Sequence, residues 1–321
     1  MHLKKLLITS TVIAATSISN NTVADIKVSG EQEWNYLDAG GSFKSTLGSS
    51  TSFTFTGTGD LSNGISYLVK FTLEDGDQSY RAITFDLGSG LKLGIGYDQS
   101  YGIETVKAIS PYVNNRRAHI TGAHRGFPTA ARKPLGPDVW DTSSGENAIG
   151  LSFKNDLAAI SFGFTPVRDV NTSTDAINAS SATSSEYGTA SSIGVKLTPV
   201  DGLTIGFGTS SEESDATANS DPKGTTIGFQ YKIGSFAIGY QEIENELDDT
   251  TTQRVTTTEI QEGGVAYKVN DALTIGVFAA NINYLTVNTD NGVETGMGIV
   301  QVGYNLGPAV IQYDYADGSD L

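Results

Sequence analysis

The chain has 321 residues, with 36 Asp and Glu against 20 Lys and Arg, 37 glycines, 14 tyrosines, 13 phenylalanines and no cysteine. A formal charge of −16 excludes nucleic acid as a partner, because that affinity rests on basic contacts to phosphate; without cysteine, an exported chain is held together by backbone pairing and packing rather than disulfides. The length admits two domains, but all-β barrels of this size are commonly one unit.

Residues 1–24 read MHLKKLLITSTVIAATSISNNTVA: Lys4 and Lys5, an apolar run from Leu6 to Ala15, then polar and small residues ending in Thr22-Val23-Ala24. This predicts a secretory signal peptide over 1–24 with Asp25 as the mature N-terminus. Its apolar run is too short to span a bilayer. From Asp25 onward no apolar run has the length of a membrane helix, and apolar residues recur at every second position, the period of a strand. Strands are expected at 26–36, 51–60, 65–74, 79–87, 91–98, 147–154, 157–165, 189–198, 203–210, 225–232, 235–242, 258–268, 273–282, 295–305 and 308–315.

The two faces of these strands differ. In the third, Ile65, Tyr67, Val69, Phe71 and Leu73 share one side, while Ser66, Lys70 and Thr72 share the other with only Leu68. In the tenth, Ile227, Phe229 and Tyr231 oppose Gly228, Gln230 and Lys232. An Ile-Gly pair recurs at Ile95, Ile149, Ile193, Ile205, Ile227, Ile238 and Ile275; isoleucine is expected to face lipid and glycine the lumen, where a small residue keeps the bore open. Ser62-Asn63-Gly64, Gly88-Ser89-Gly90, Asn155-Asp156, Pro199-Val200-Asp201-Gly202, Ile233-Gly234, Asn270-Asp271 and Gly307 supply tight hairpin turns. They alternate with long polar, acidic connections such as SSEESDATANSDPKG. Short turns at one end and long loops at the other, with Trp34, Tyr36, Tyr97, Tyr231, Tyr240, Tyr267, Tyr304 and Tyr313 near strand ends, predict an all-β, up-and-down antiparallel transmembrane β-barrel over 25–321.

DIKVSGEQEW, NGISYLVKFTLEDGD and GSGLKLGIGYDQSYG resemble, in this order, the opening strands of the Gram-negative general porins, and the likeness in plan runs over essentially the whole mature chain. The resemblance implies a sixteen-stranded barrel in the bacterial outer membrane, a homotrimer, and a third long loop that folds into the lumen and narrows it. The loop in that position lacks the Pro-Glu-Phe-Gly-type motif common there, so its constriction residues are read from its own composition.

That loop, 99–146, is the longest connection in the chain, and a loop of such length is usually functional. It is locally basic in an acidic chain, with Lys107, Arg116, Arg117, Arg125, Arg132, Lys133, His119 and His124 against Glu104, Asp138, Asp141 and Glu146. In the bore these charges would set the field a solute crosses. The competing reading is a surface loop whose arginines meet lipopolysaccharide or a neighbouring subunit. Strand parity puts Lys27, Lys70, Lys92, Lys154, Lys196, Lys232 and Lys268 on the lumen side, all but Lys70 next to a short turn or the chain start. Acids such as Glu212, Glu213, Asp215, Glu242, Glu244, Glu246, Asp248 and Asp249 crowd the long loops.

Enzymatic signals are weak. GSGLKLG at 88–94 lies between strands rather than before a helix, and two loop histidines without recognisable ligand partners do not make a metal site. The expectation is an outer-membrane porin without catalytic residues, cofactor or metal, passing ions and small hydrophilic solutes, with membrane lipid and lipopolysaccharide around it. The alternatives are a secreted soluble β-protein, such as an adhesin or sugar binder, and an outer-membrane barrel enzyme. The odd strand count adds one expectation: single-chain bacterial barrels have an even number, so a sixteenth strand is missing after Leu321, and strands 26–36 and 308–315 flank a gap of one strand's width.

Overall fold

Each run in which apolar residues alternate with polar or small ones forms a strand. The computed structural model describes residues 2–8, 16–18, 25–38, 46–75, 77–97, 101–106, 109, 147–166, 187–214, 223–246, 255–286, 289–307 and 309–320. Two strands precede the predicted series, β1 (His2–Ile8) and β2 (Thr16–Ile18). They are followed by β3 (Asp25–Asp38), β4 (Thr46–Asp60), β5 (Ser66–Glu74), β6 (Asp77–Gly88) and β7 (Leu91–Tyr97). A 3-10 helix at Gly102–Val106 separates these from β8 (Asn147–Lys154), β9 (Ala158–Thr165), β10 (Tyr187–Leu197), β11 (Leu203–Ser214) and β12 (Lys223–Ile233). The series ends with β13 (Phe236–Glu246), β14 (Val255–Lys268), β15 (Leu273–Thr286), β16 (Thr289–Asn305) and β17 (Val310–Asp320). All fifteen predicted strands are present, as β3 to β17, each paired antiparallel with the next.

The main difference lies at the long-loop end, where strands outrun the alternating pattern. β15 and β16 extend to Thr286 and Thr289 through polar sequence. The acids assigned to loops move accordingly: Glu212 and Glu213 belong to β11, and Glu244 and Glu246 join Glu242 in β13. Beyond the hydrocarbon a hairpin still satisfies its backbone by pairing, so polar side chains do not end it. Asp215, Asp248 and Asp249 lie outside the described residues.

The expected gap is not open. β1 pairs antiparallel with β17, from His2↔Asp317 to Leu7↔Gln312, and with β3, from Lys4↔Asp38 to Ile8↔Trp34. Residues assigned to the leader therefore take the sixteenth position and complete the ring, while β2 pairs with Ile26–Val28 farther along the same edge. An open seam would leave two rows of unpaired N–H and C=O groups, each costing several kcal/mol in hydrocarbon, and β1 satisfies them.

Register sorts the side chains into an outer and an inner face. Outward, Ile227 is 55 % and Val277 59 % exposed, part of an apolar band that would be untenable in water but suits lipid. Tyr231, Phe236, Tyr267, Tyr304 and Tyr313 edge this band towards the short turns, with Phe236 and Tyr267 rings 4.6 Å apart. This is the aromatic girdle expected at a membrane interface. Inward come glycine, serine, threonine, glutamine and lysine positions. The turns use the expected chemistry: Asn155 Oδ1 accepts from Leu157 and Ala158, and Asn270 Oδ1 accepts in the same way from Ala272 and Leu273. Gly90, at φ +82°, is further restricted because a Cβ there would strike the Lys154 carbonyl.

Candidate functional site on the inner wall

The long connection after β7 turns into the barrel. Tyr101, the 3-10 helix Gly102–Val106 and Ile109 lie on the inner faces of β7 to β15, with Tyr101, Ile103, Val106 and Ile109 buried. Their seat is a row of glycines. A methyl group at Gly94 or Gly150 would overlap the Tyr101 side chain, at Gly194 the backbone of Gly102, and at Gly206 or Gly208 the side chains of Ile109 and Val106. The Ile-Gly pairs thus have isoleucine outward as expected, but at Gly150, Gly194 and Gly206 the glycine does not keep the bore open. It makes room for the chain that fills this part of it.

Hydrogen bonds fix the seat. Gly102 N–H donates to Ser161 Oγ of β9 at 2.9 Å, and the next amide, Ile103, to Ser192 Oγ of β10 at 3.4 Å. Gln241 of β13, fully buried, holds the far end: its Oε1 accepts from Ile109 N–H at 3.1 Å, and its Nε2 donates to Val106 C=O at 3.1 Å and to Thr226 Oγ1 at 2.8 Å. Gln230 Nε2 donates to Ile109 C=O at 3.1 Å. Ile103, Val106 and Ile109 complete a buried cluster with Ile243, Ile260 and Ile282 of β13, β14 and β15. A peptide segment inside a water-facing wall needs its polar groups paired and its apolar groups covered, and this arrangement does both.

Of the loop residues singled out from the sequence, Glu104 lies in the 3-10 helix, half-buried. Lys107, Arg116, Arg117, Arg125, Arg132, Lys133, Asp138 and Asp141, with His119 and His124, lie outside the described residues. The seven lysines occupy inward register positions. Lys27 and Lys70 are both partners of Thr56; Lys154 and Lys196 are both partners of Ala159; Lys92, Lys232 and Lys268 sit within two residues of a turn. Lys70 stands higher, its Nζ 4.4 Å from the Tyr80 ring centroid, a cation–π contact. Lys268 is ion-paired with Asp271 in the adjoining turn at 2.8 Å. This hydrogen bond and the lysine charge hold the exposed Asp271 carboxyl below the ordinary aspartate range.

Sequence reasoning missed Gln241, Ser161 and Ser192, and placed Gln230 on the inner face without its bond to the docked segment. A signal existed: Ile243, Ile260 and Ile282 fall on the inner parity of their strands, where polar residues were expected, and YGIETV is an apolar island at the start of a basic loop. Three buried carboxylates also belong to the inner wall, Glu33, Glu212 and Glu262.

Strands with an apolar, aromatic-edged outer face, a polar inner face and an inward-turned loop define a transmembrane β-barrel channel. The family model described as Gram-negative porin matches residues 9–321. The chain belongs to the Gram-negative porin family and is a channel protein of the bacterial outer membrane. Its fold is similar to a solved porin at 13 % identity, covering 92 % of this chain and 100 % of that one with a TM-score of 0.60. It is also similar to OmpT, an outer membrane protein of Vibrio cholerae, at 13 % identity, 94 % and 89 % coverage and a TM-score of 0.65. A mutant of Rhodopseudomonas blastica porin follows at 10 % identity, 92 % and 100 % coverage and a TM-score of 0.51. No curated protein matches the chain.

Proposed function

We propose that loop 99–146 forms the constriction of a passive, non-enzymatic channel for ions and small hydrophilic solutes, and that the channel favours anions at low salt. The observation that carries this reading is the docking of Tyr101–Val106 and Ile109 on the inner wall, which starts the loop inside the bore. In this reading Glu104, Lys107, Arg116, Arg117, Arg125, Arg132, Lys133, Asp138 and Asp141 line the narrow part. Lys27, Lys92, Lys154, Lys196, Lys232 and Lys268 add a positive field towards the short-turn, periplasmic mouth, with Lys70 farther up the wall, all focused by the low-dielectric wall. Residues 1–24 are the proposed leader, so His2–Ile8 hold the sixteenth position only while the leader is attached; lipid with lipopolysaccharide surrounds the outer face. A homotrimer is the proposed assembly; one OmpT structure is of a trimer form.

Reconstitution in a planar bilayer tests this. Deleting residues between Lys107 and Pro137 should raise single-channel conductance and admit larger sugars. Neutralising Arg116, Arg117 and Arg125 together should move the reversal potential in a salt gradient towards cations. Unchanged conductance after the deletion would put the loop outside the permeation path.

A further inference from the structure

The inner face at the short-turn end carries a basic patch with a defined geometry. Lys154 of β8 and Lys196 of β10 are both register partners of Ala159 on β9, so their Cα atoms stand two strand spacings apart, about 10 Å, with only a methyl group between them. Lys92 of β7 is the partner of Ser152, which puts it diagonally about 7–8 Å from Lys154. Gly206, opposite Lys196 on β11, is covered by the Ile109 side chain and bounds the patch on that side. The three cations therefore stand around a floor of Ser152 and Ala159, whose side chains are too small to separate them. This floor adjoins the docked segment, because Ser161, the cross-strand partner of Ser152, accepts the Gly102 amide.

The nearest described acids offset only the β7 edge of the patch. Asp86, the register partner of Lys92, keeps its charge while its Oδ1 accepts from Gly88 N–H at 2.9 Å, and it offsets Lys92 in part, leaving Lys154 and Lys196 as the core of the patch. Asp156 and Asp201 are exposed in the turns. Among the described residues none of the three lysines has an ion-pair partner, unlike Lys268, which has Asp271.

Ammonium groups clustered around a neutral floor repel one another, and an anion bearing more than one charge relieves all the repulsions together. We propose that Lys92, Lys154 and Lys196, with the Ser152 hydroxyl, form a binding site for a dianion of the phosphate class, inorganic phosphate or a phosphomonoester, at the periplasmic mouth of the channel. The proposal rests on the reading of the bore as a water-filled path. Chloride feels the same field but is a single point, whereas the oxygens of a phosphate can accept charge-assisted bonds from three ammonium groups and a hydroxyl. Lysine suits a transit site, because its flexible ammonium binds as a point charge and releases readily.

The test is 31P line broadening of inorganic phosphate by the detergent-folded full chain at fixed ionic strength. The unmodified chain should broaden the line saturably. K154Q/K196Q should weaken binding by about fivefold or more per lysine removed at low salt, the size of one charge pair in water. Lys223→Gln, at the far end of β12, should leave it unchanged. Circular dichroism and resistance to unfolding in cold detergent check the barrel; if K154Q/K196Q fails to fold, K92Q/S152A takes its place with the same expected loss. Equal broadening by the folded variant and the unmodified chain overturns the site. So does displacement of phosphate by chloride as effective as by sulfate at equal ionic strength, because diffuse attraction would then suffice. Conductance in KCl is measured separately: conductance without phosphate binding removes the site alone, and phosphate binding without conductance keeps the site and removes the channel reading.

Discussion

Gln241→Leu removes the amide that holds the far end of the docked segment while keeping the side chain's approximate volume. In the folded barrel the change strands Ile109 N–H and Val106 C=O, each bonded to Gln241 at 3.1 Å. It also removes one bond to the Thr226 hydroxyl, which keeps its own donation to Glu242 C=O at 3.0 Å. A buried backbone group left without a partner costs about 1–3 kcal/mol, so two of them weaken docking by about 2–6 kcal/mol. The strand ladder does not use this side chain, and the barrel itself should survive. Hydrogen exchange of the 101–109 peptide is the direct assay. With 1.4 kcal/mol to each tenfold, the segment should lose protection by roughly 30-fold at the low end of that range, and single-channel current should become noisier. Protection unchanged in a correctly folded variant would show that the glycine seat and the isoleucine cluster hold the segment without the clamp.

Gly150→Ala forces a methyl group into the Tyr101 ring and should loosen the same segment by about 1–3 kcal/mol, the usual size of core overpacking; exchange of the same peptide reads it, and Tyr101→Ala in the same chain should restore barrel stability. Val277→Arg, on the outer face at 59 % exposure, should cost about 2–4 kcal/mol if it sits near the membrane midplane, measured by urea unfolding in lipid vesicles. Asp271 is held below the ordinary aspartate value of 3.8 by Lys268. Its contribution to stability is therefore present above that value and lost as pH falls through its lower folded value; Asp271→Asn should flatten this part of the acid unfolding profile, most visibly at low salt.

Much of the barrel was legible because its two faces have incompatible solvents. Ile227, Phe229 and Tyr231 against Gly228, Gln230 and Lys232 cannot be mistaken for a helix, and Asn270-Asp271 could only be a turn. Legibility ended with the hydrocarbon. Over residues 283–294 the alternation disappears, and nothing in the sequence distinguishes a long hairpin arm from a loop, although β15 runs to Thr286 and β16 begins at Thr289. The seat of the loop was hidden for another reason. Glycine at an inner position is consistent with open space and with a close neighbour alike, and the neighbour, Tyr101–Ile109, comes from a different part of the chain. The identity of the closing strand was illegible too: the alternating pattern located the seam between β3 and β17 but could not show that His2–Ile8 would pair with both sides.

The docked segment also acts as a ruler for assembly. A slip of one residue between neighbouring strands is self-defeating, since it turns every isoleucine inward. A slip of two preserves both faces and the whole ladder, and the pair β9 and β10 has no short turn to forbid it. Gly102 and Ile103, adjacent in the chain, bond to Ser161 on β9 and Ser192 on β10. Sliding one strand by two residues would carry its serine about 7 Å away and break one of the two bonds, while moving a glycine hole from under the segment. Two amides one residue apart thus distinguish the native alignment of β9 and β10 from its nearest counterfeit, and a chain lacking them would fold into a barrel with less means of telling that it had paired in the wrong place.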